Sequence, residues 1–152
     1  MNIRNNVQRK VRSEKRMVVY SLFAFHFSLL TFSCQNIKRD QYISEGYGLY
    51  QLHCANCHQK NGEGMANLYP PISKEFLKNK ADVVCWIRNG VHQPMVVNGK
   101  AYNRAMPGNQ ALENLDIAEL MTYLYNTYDK ESDIFPIDSV AAIRERCVET
   151  LK

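Results

Sequence analysis

The sequence lacks the features that mark several common protein classes. It has seven glycines and no glycine-rich phosphate-binding loop, which argues against a nucleotide-dependent enzyme. After residue 34 it has no apolar run long enough to cross a membrane. It also lacks a basic excess there: the whole chain is +4, but residues 35–152 carry 13 Lys and Arg against 14 Asp and Glu, a net charge of −1. A nucleic-acid-binding domain needs a basic face, so we expect no nucleic acid as a partner.

The N-terminal segment has the pattern of an export signal. Residues 1–16 are polar and basic, residues 17–33 are almost wholly apolar, and Cys34 precedes a polar run. Cys34 resembles the acylated cysteine of a bacterial lipoprotein, which implies a lipid anchor in the membrane. A plain cleaved signal and an uncleaved N-terminal anchor are the alternatives. All three predict a periplasmic or other extracytoplasmic location for the remainder.

Cys54 and Cys57 are separated by two residues, and His58 follows at once. A CxxC pair occurs in redox dithiols, in zinc sites and in haem attachment sites. The preceding residues read as helix rather than strand, which disfavours a thioredoxin-like dithiol. A zinc site needs a second close Cys/His pair, and the remaining candidates are scattered: Cys85, His92 and Cys147. The adjacent histidine favours one covalently attached haem c, with two thioether bonds and an imidazole on the iron.

The flanking residues resemble those of class I c-type cytochromes. Gly46, Tyr50 and Cys54 have the spacing of that family's first helix, and Tyr123 matches the residue of the last helix that crosses it. The resemblance implies a small all-α fold with three to five helices around one covalently bound haem. We expect this organisation along the chain: 1–34 export segment, 35–39 short linker, 40–128 cytochrome c domain, 129–152 C-terminal extension with a short helix.

The resemblance also implies the residues around the iron. Pro70, twelve residues after His58, would accept a hydrogen bond from the imidazole and fix its tautomer. Of the methionines, Met65 is too close to His58 and Met121 belongs to a helical core stripe, which leaves two candidates, Met95 and Met106. The family carries its ligand in a Met-Pro pair before the last helix, which implies Met106. His92 is the rival non-methionine ligand.

Four further residues and one disulfide complete the site predictions. Tyr102 would lie near the axial sulfur or pack in the core. Trp86 and Arg88 would each hydrogen-bond a haem propionate. Alternatively, Trp86 would only pack in its helix interface and Arg88 would be a solvated charge. His53 would be a solvated neighbour of the motif. Cys85 and Cys147 are left unpaired by any motif, and an oxidising compartment favours a disulfide between them.

These residues predict an electron carrier rather than an enzyme. A haem iron held by His and Met suits single-electron transfer, with a redox protein as donor and another as acceptor. The alternative is a cytochrome subunit of a dehydrogenase or terminal oxidase complex. Two other classes remain open: a ligand-sensing or peroxidatic haem protein with a labile sixth ligand, and a disulfide or zinc module with an accidental CxxCH.

Overall fold

A computed structural model describes residues 37–147. The predicted export segment with Cys34 lies outside the described residues. The chain divides into two compact units, residues 1–38 and 39–152, and the description below concerns the second unit. Between residues 37 and 147 no helix is both long enough and apolar enough to cross a bilayer.

The described part consists mainly of helices joined by loops. Helix α1 covers residues 37–53, of which the first two belong to the other unit. The other elements follow in this order: α2 Ala55–His58, α3 Lys80–Asn89, β1 Gly90–Val91, β2 Met95–Val97, β3 Lys100–Tyr102, β4 Met106–Pro107, α4 Asn114–Leu124 and α5 Ile137–Cys147. A π-helical turn, Tyr125–Asp129, extends α4. The linker predicted at residues 35–39 is already helical from residue 37, because Lys and Arg are good helix formers at exposed positions.

Four short strands lie among the helices of residues 37–147, so the prediction of an all-α fold is confirmed only in part. Strand β1 pairs with β4, and β2 forms an antiparallel hairpin with β3. The hairpin turn is Asn98-Gly99, whose φ angles of 51° and 74° are both positive. Such a turn matches the twist of two antiparallel strands, and Asn-Gly favours it. The turn is visible in the sequence, but strands of two or three residues are too short to produce a periodic pattern.

Helices α1 and α4 cross at Gly46, as the resemblance to class I c-type cytochromes implies. A Cβ added to Gly46 would lie 2.6 Å from the carbonyl carbon of Glu119 and 2.7 Å from Cβ of Tyr123. One turn later the Tyr50 ring, fully buried, packs on the Tyr123 ring with centroids 5.5 Å apart. The Tyr50 hydroxyl donates a hydrogen bond to the carbonyl of Gln59 at 2.7 Å. The crossing therefore fixes the end of α1, from which Cys54 follows directly.

The core lies where α4 meets α3 and α5. The apolar stripe of α4 is buried, as its helical spacing predicts: Ile117, Leu120, Met121 and Leu124. Helix α5 packs against both α3 and α4 and buries Val140, Ile143 and Cys147. The chain before α5 is fixed to α4, because Phe135 N–H donates to the buried Thr122 hydroxyl at 3.0 Å. The C-terminal extension is therefore part of the same compact unit as the helices before it.

Candidate functional site

The CxxCH segment is a helical turn that continues α1. Cys54 N–H donates to the carbonyl of Tyr50 at 2.9 Å, and His58 N–H donates to the carbonyl of Cys54 at 2.9 Å. Gln59, with φ of 65°, ends this turn. Cys54 and Cys57 are both free thiols. The local fold thus carries two thiols and an imidazole on one short helical segment.

One cleft is lined by the predicted attachment cysteines, by the two predicted iron ligands and by Pro70. Its lining includes Cys54, Cys57, His58, Pro70 and Met106. A second, deeper cavity shares Cys54, His58, Phe76 and Met106 with it and is otherwise lined by apolar and aromatic core residues. The CxxCH segment, the proline and the methionine come from three separate stretches of chain that only the fold brings together.

His58 is held in one orientation. Its side chain is 6% exposed, and its Nδ1 lies 2.9 Å from the carbonyl oxygen of Pro70. A carbonyl only accepts, so Nδ1 carries the proton and the Nε2 lone pair is available to a metal. Burial lowers the pKa of His58, and the bond to Pro70 opposes part of that shift. The imidazole is therefore neutral and oriented, which is the form that binds a metal ion.

Gly64 lets the Pro70 segment approach His58. Gly64 has φ of 72°, and its N–H donates to the carbonyl of His58 at 2.9 Å. A Cβ at this position would lie 2.6 Å from the carbonyl oxygen of Tyr69 and 2.7 Å from the carbonyl carbon of Pro70. Gly64 was not among the residues that the sequence predicted for the site. The feature of the sequence that could have indicated this role is the position of Gly64, six residues after His58 and six residues before Pro70.

Met106 and Met95 both line the cleft, but Met106 alone of the two also lines the deeper cavity. Met106 lies in β4, paired with Val91. Met121 is fully buried in the core stripe, and Met65 is 38% exposed. Neither of these two methionines lines the cleft or the deeper cavity. Among the methionines of residues 37–147, those that line the cleft are therefore Met95 and Met106, the two candidates that the sequence left.

The two histidines outside the motif lie in different places. His92 lines a groove between α3 and α5 rather than the cleft. His53 lies on the cleft lining, and its Nδ1 accepts a hydrogen bond from the Asn109 side chain at 3.3 Å. His53 is thus a contact of the loop that carries Met106, a role its position in the sequence did not indicate.

Tyr102, Trp86 and Arg88 have three different roles. Tyr102 is buried and lines the cleft. Trp86 lines the deeper cavity and packs on Phe76 with ring centroids 5.4 Å apart. Arg88 does not line the cleft, and it donates from Nη1 to the carbonyls of Leu112 and Gln110. Arg88 therefore bonds to the chain that follows Met106, because α3 ends beside that chain.

Cys85 and Cys147 form a disulfide in the structure, with Cα atoms 5.5 Å apart. This separation is within the ordinary range for a disulfide. The bond joins α3 to the last turn of α5, 62 residues further along the chain. It leaves Cys54 and Cys57 as the free thiols of the described residues.

The environment of the CxxC pair suits haem attachment better than redox or zinc chemistry. Burial, reinforced by Cys57, raises the pKa of Cys54 to about 12, whereas a redox-active CxxC has a lowered thiol pKa. Within residues 37–147 no three His, Cys, Asp or Glu side chains cluster as a metal-binding group, so the pair lacks a zinc ligand set. Two thiols, one oriented imidazole and an apolar cleft with a thioether fit a covalently bound haem.

The comparison with known proteins agrees with this geometry. The cytochrome c family profile matches residues 43–127, more than half of the chain, so the protein belongs to the cytochrome c family. It is a class I c-type cytochrome with covalently bound haem c.

Two cytochromes c-552 are similar to this chain, one from Thermus thermophilus and one from a defined strain of that species. Each is 26% identical in an alignment 87 residues long, which covers 53% of this chain. The aligned part covers 66% of the first relative and 58% of the second. The chain therefore spans less than two thirds of the length of either relative.

Proposed function

We propose that the protein carries single electrons between extracytoplasmic redox partners, with its haem attached to Cys54 and Cys57 and its iron held by His58 and Met106. The single observation that carries this proposal is the shared cleft, in which all four side chains meet. Bound haem supplies the one-electron iron couple. The chain supplies the ligands, their orientation and a surrounding from which water is largely excluded.

His58 is the fixed ligand. Its Nδ1–H bond to Pro70 at 2.9 Å orients the ring and raises the basicity of Nε2. Phe76 packs against the imidazole with ring centroids 5.9 Å apart, which further restricts rotation of the ring. A ligand held in this way needs little reorganisation when the charge on the iron changes.

Met106 is the second ligand. A thioether is a soft donor that favours ferrous iron and raises the reduction potential, as electron carriers need. Met106 lines both the cleft and the cavity beneath it, whereas Met95 lines only the cleft. Six-coordinate iron offers no open position for oxygen or substrate, which separates this proposal from a ligand-sensing or peroxidatic protein.

The test compares Met106→Ala with Met95→Ala in the holoprotein, because the two methionines line the same cleft. We expect Met106→Ala to abolish the sulfur-to-iron charge-transfer band, lower the reduction potential and admit carbon monoxide to ferrous iron. Met95→Ala should keep the band and exclude carbon monoxide. A band that survives in Met106→Ala would refute ligation by Met106, and ready carbon monoxide binding by the wild type would favour the sensor or peroxidase class.

We further propose that the protein works outside the cytoplasm, anchored to the membrane through an acylated Cys34. The support is the basic, apolar and cysteine pattern of residues 1–34. Cys34→Ser should move the protein from the membrane fraction to the soluble fraction. An unchanged membrane fraction would favour an uncleaved anchor, and copurification with a dehydrogenase or terminal oxidase would favour the subunit alternative.

A further inference from the structure

The backbone of Met106 is attached to the C-terminal end of α3. Strand β1 follows α3 without a break, and Val91 in β1 pairs with Met106 in β4. Beyond β4, Asn109 N–H donates to the carbonyl of Ile87 at 2.8 Å. The methionine loop, residues 103–113, is therefore paired with β1 at Met106-Pro107 and hydrogen-bonded to α3 beyond that pair.

Arg88 and two glycines make the other close contacts between α3 and the methionine loop. Arg88 Nη1 donates to the carbonyl of Leu112 at 3.2 Å and also to that of Gln110, and the Gln110 side chain donates back to the Arg88 carbonyl at 3.1 Å. A Cβ on Gly108 would lie 2.6 Å from the Arg88 carbonyl oxygen, and one on Gly90 would lie 2.5 Å from the Met106 carbonyl oxygen. With its backbone this close to α3, the loop moves when the end of α3 moves.

The C-terminal extension braces the two elements that flank the loop. Cys147 at the end of α5 is bonded to Cys85 in α3. One turn earlier, Arg144 donates to the side chain of Asn114, the first residue of α4. The buried Val140 and Ile143 fill the space between these two attachments. One helix thus fastens both α3, at Cys85 before the loop, and the start of α4, after it.

We infer that the extension positions the axial methionine: by bracing α3 and α4 it holds Met106 on the iron against competing ligands. The inference rests on the proposed ligation by Met106. It adds residues 129–147 to the part of the chain that keeps Met106 bound to the iron. Loops with few buried contacts open locally at low free-energy cost. Bracing both ends removes open conformations of the loop, so the thioether stays near the iron. Cys85, Cys147 and Arg144 act as positioning residues, through the loop and not by contact with the cofactor.

The test measures binding of imidazole to the ferric holoprotein, since imidazole competes with Met106 for the iron. The variants are the double change Cys85→Ser and Cys147→Ser, and separately Arg144→Gln with Arg144→Lys as its conservative rescue. Arg146→Gln is the matched control, because Arg146 is on the same helix and, among residues 37–147, donates its side-chain hydrogen bond within that helix, to the carbonyl of Ala142 at 3.3 Å. We expect the double variant to bind imidazole about tenfold more tightly, within the usual range of coupling between sites. Arg144→Gln should bind it about threefold more tightly, as a weaker part of the same coupling, and Arg144→Lys and Arg146→Gln should match the wild type.

Tyr125→Phe separates positioning from loss of stability. It removes the hydrogen bond from the Tyr125 hydroxyl to the Leu77 carbonyl, 2.6 Å long and buried, which lies outside the methionine loop and the extension. It should lower the unfolding temperature and leave imidazole affinity unchanged. Equal imidazole affinity in the double variant and the wild type, or an equal gain in Tyr125→Phe, would overturn the inference. If Met106→Ala itself binds imidazole no more tightly than the wild type, the ligation by Met106 fails and the inference with it.

Discussion

Gly46 is the most constrained position in the interface between α1 and α4, and alanine there should destabilise the protein strongly. The added Cβ would lie 2.6 Å from the Glu119 carbonyl carbon and 2.7 Å from Cβ of Tyr123, whereas carbon atoms normally pack at about 3.5–4.0 Å. The helices must separate by roughly 1 Å, because backbone and Cβ atoms cannot rotate away as a side-chain end can. Overpacking of this kind costs about 3 kcal/mol. The better helix propensity of alanine returns about 1 kcal/mol, so the net loss is about 2 kcal/mol.

Gly48→Ala is the matched control in the same helix. No atom lies within 4 Å of a Cβ added to Gly48, so only the propensity gain applies. We expect Gly48→Ala to raise the stability by about 0.5–1 kcal/mol. Thermal unfolding of the two holoproteins, followed by circular dichroism, should show a fall of about 8–16 °C for Gly46→Ala and a rise of a few degrees for Gly48→Ala. Equal unfolding temperatures for the two variants would refute the close-packed crossing.

Three further predictions concern other parts of the fold. Thr122→Val should cost about 1–3 kcal/mol in urea unfolding, because it leaves the N–H of the buried Phe135 without its acceptor, and Thr122→Ser should restore the stability. Burial and the nearby Glu45 carboxylate raise the pKa of Glu119. The native state therefore binds the Glu119 proton more tightly than the unfolded chain does, and the stability of the protein falls as pH rises through that pKa. Glu119→Gln should therefore be more stable than the wild type at neutral pH and lose that advantage in acid; an advantage that grows in acid would contradict the assignment. Gly99→Ala should cost about 1 kcal/mol, since φ is 74° and no neighbouring atom obstructs the added methyl group; no change in unfolding midpoint would contradict the positive-φ turn.

The sequence by itself determined the chemistry that depends on near neighbours in the chain. Cys54, Cys57 and His58 fall on one helical turn, and their spacing is sufficient to indicate haem attachment. Gly46 and Tyr50 lie on one face of α1, and the stripe of α4 has helical spacing, so the crossing of these helices was also predictable. Local patterns carry this information because helix geometry fixes which residues share a face.

Only the tertiary structure decided which distant residues reach the cleft and what supports them. The sequence left Met95 and Met106 open, and the fold places both at the cleft but only Met106 at the cavity beneath it. In the folded chain Arg88 donates a hydrogen bond to the carbonyl of Leu112, which follows Met106 in the sequence, and it does not line the cleft. The fold also revealed strands too short to give a pattern, and a terminal helix that braces both ends of the methionine loop. These features depend on contacts between residues far apart in the chain, and no local spacing encodes such contacts.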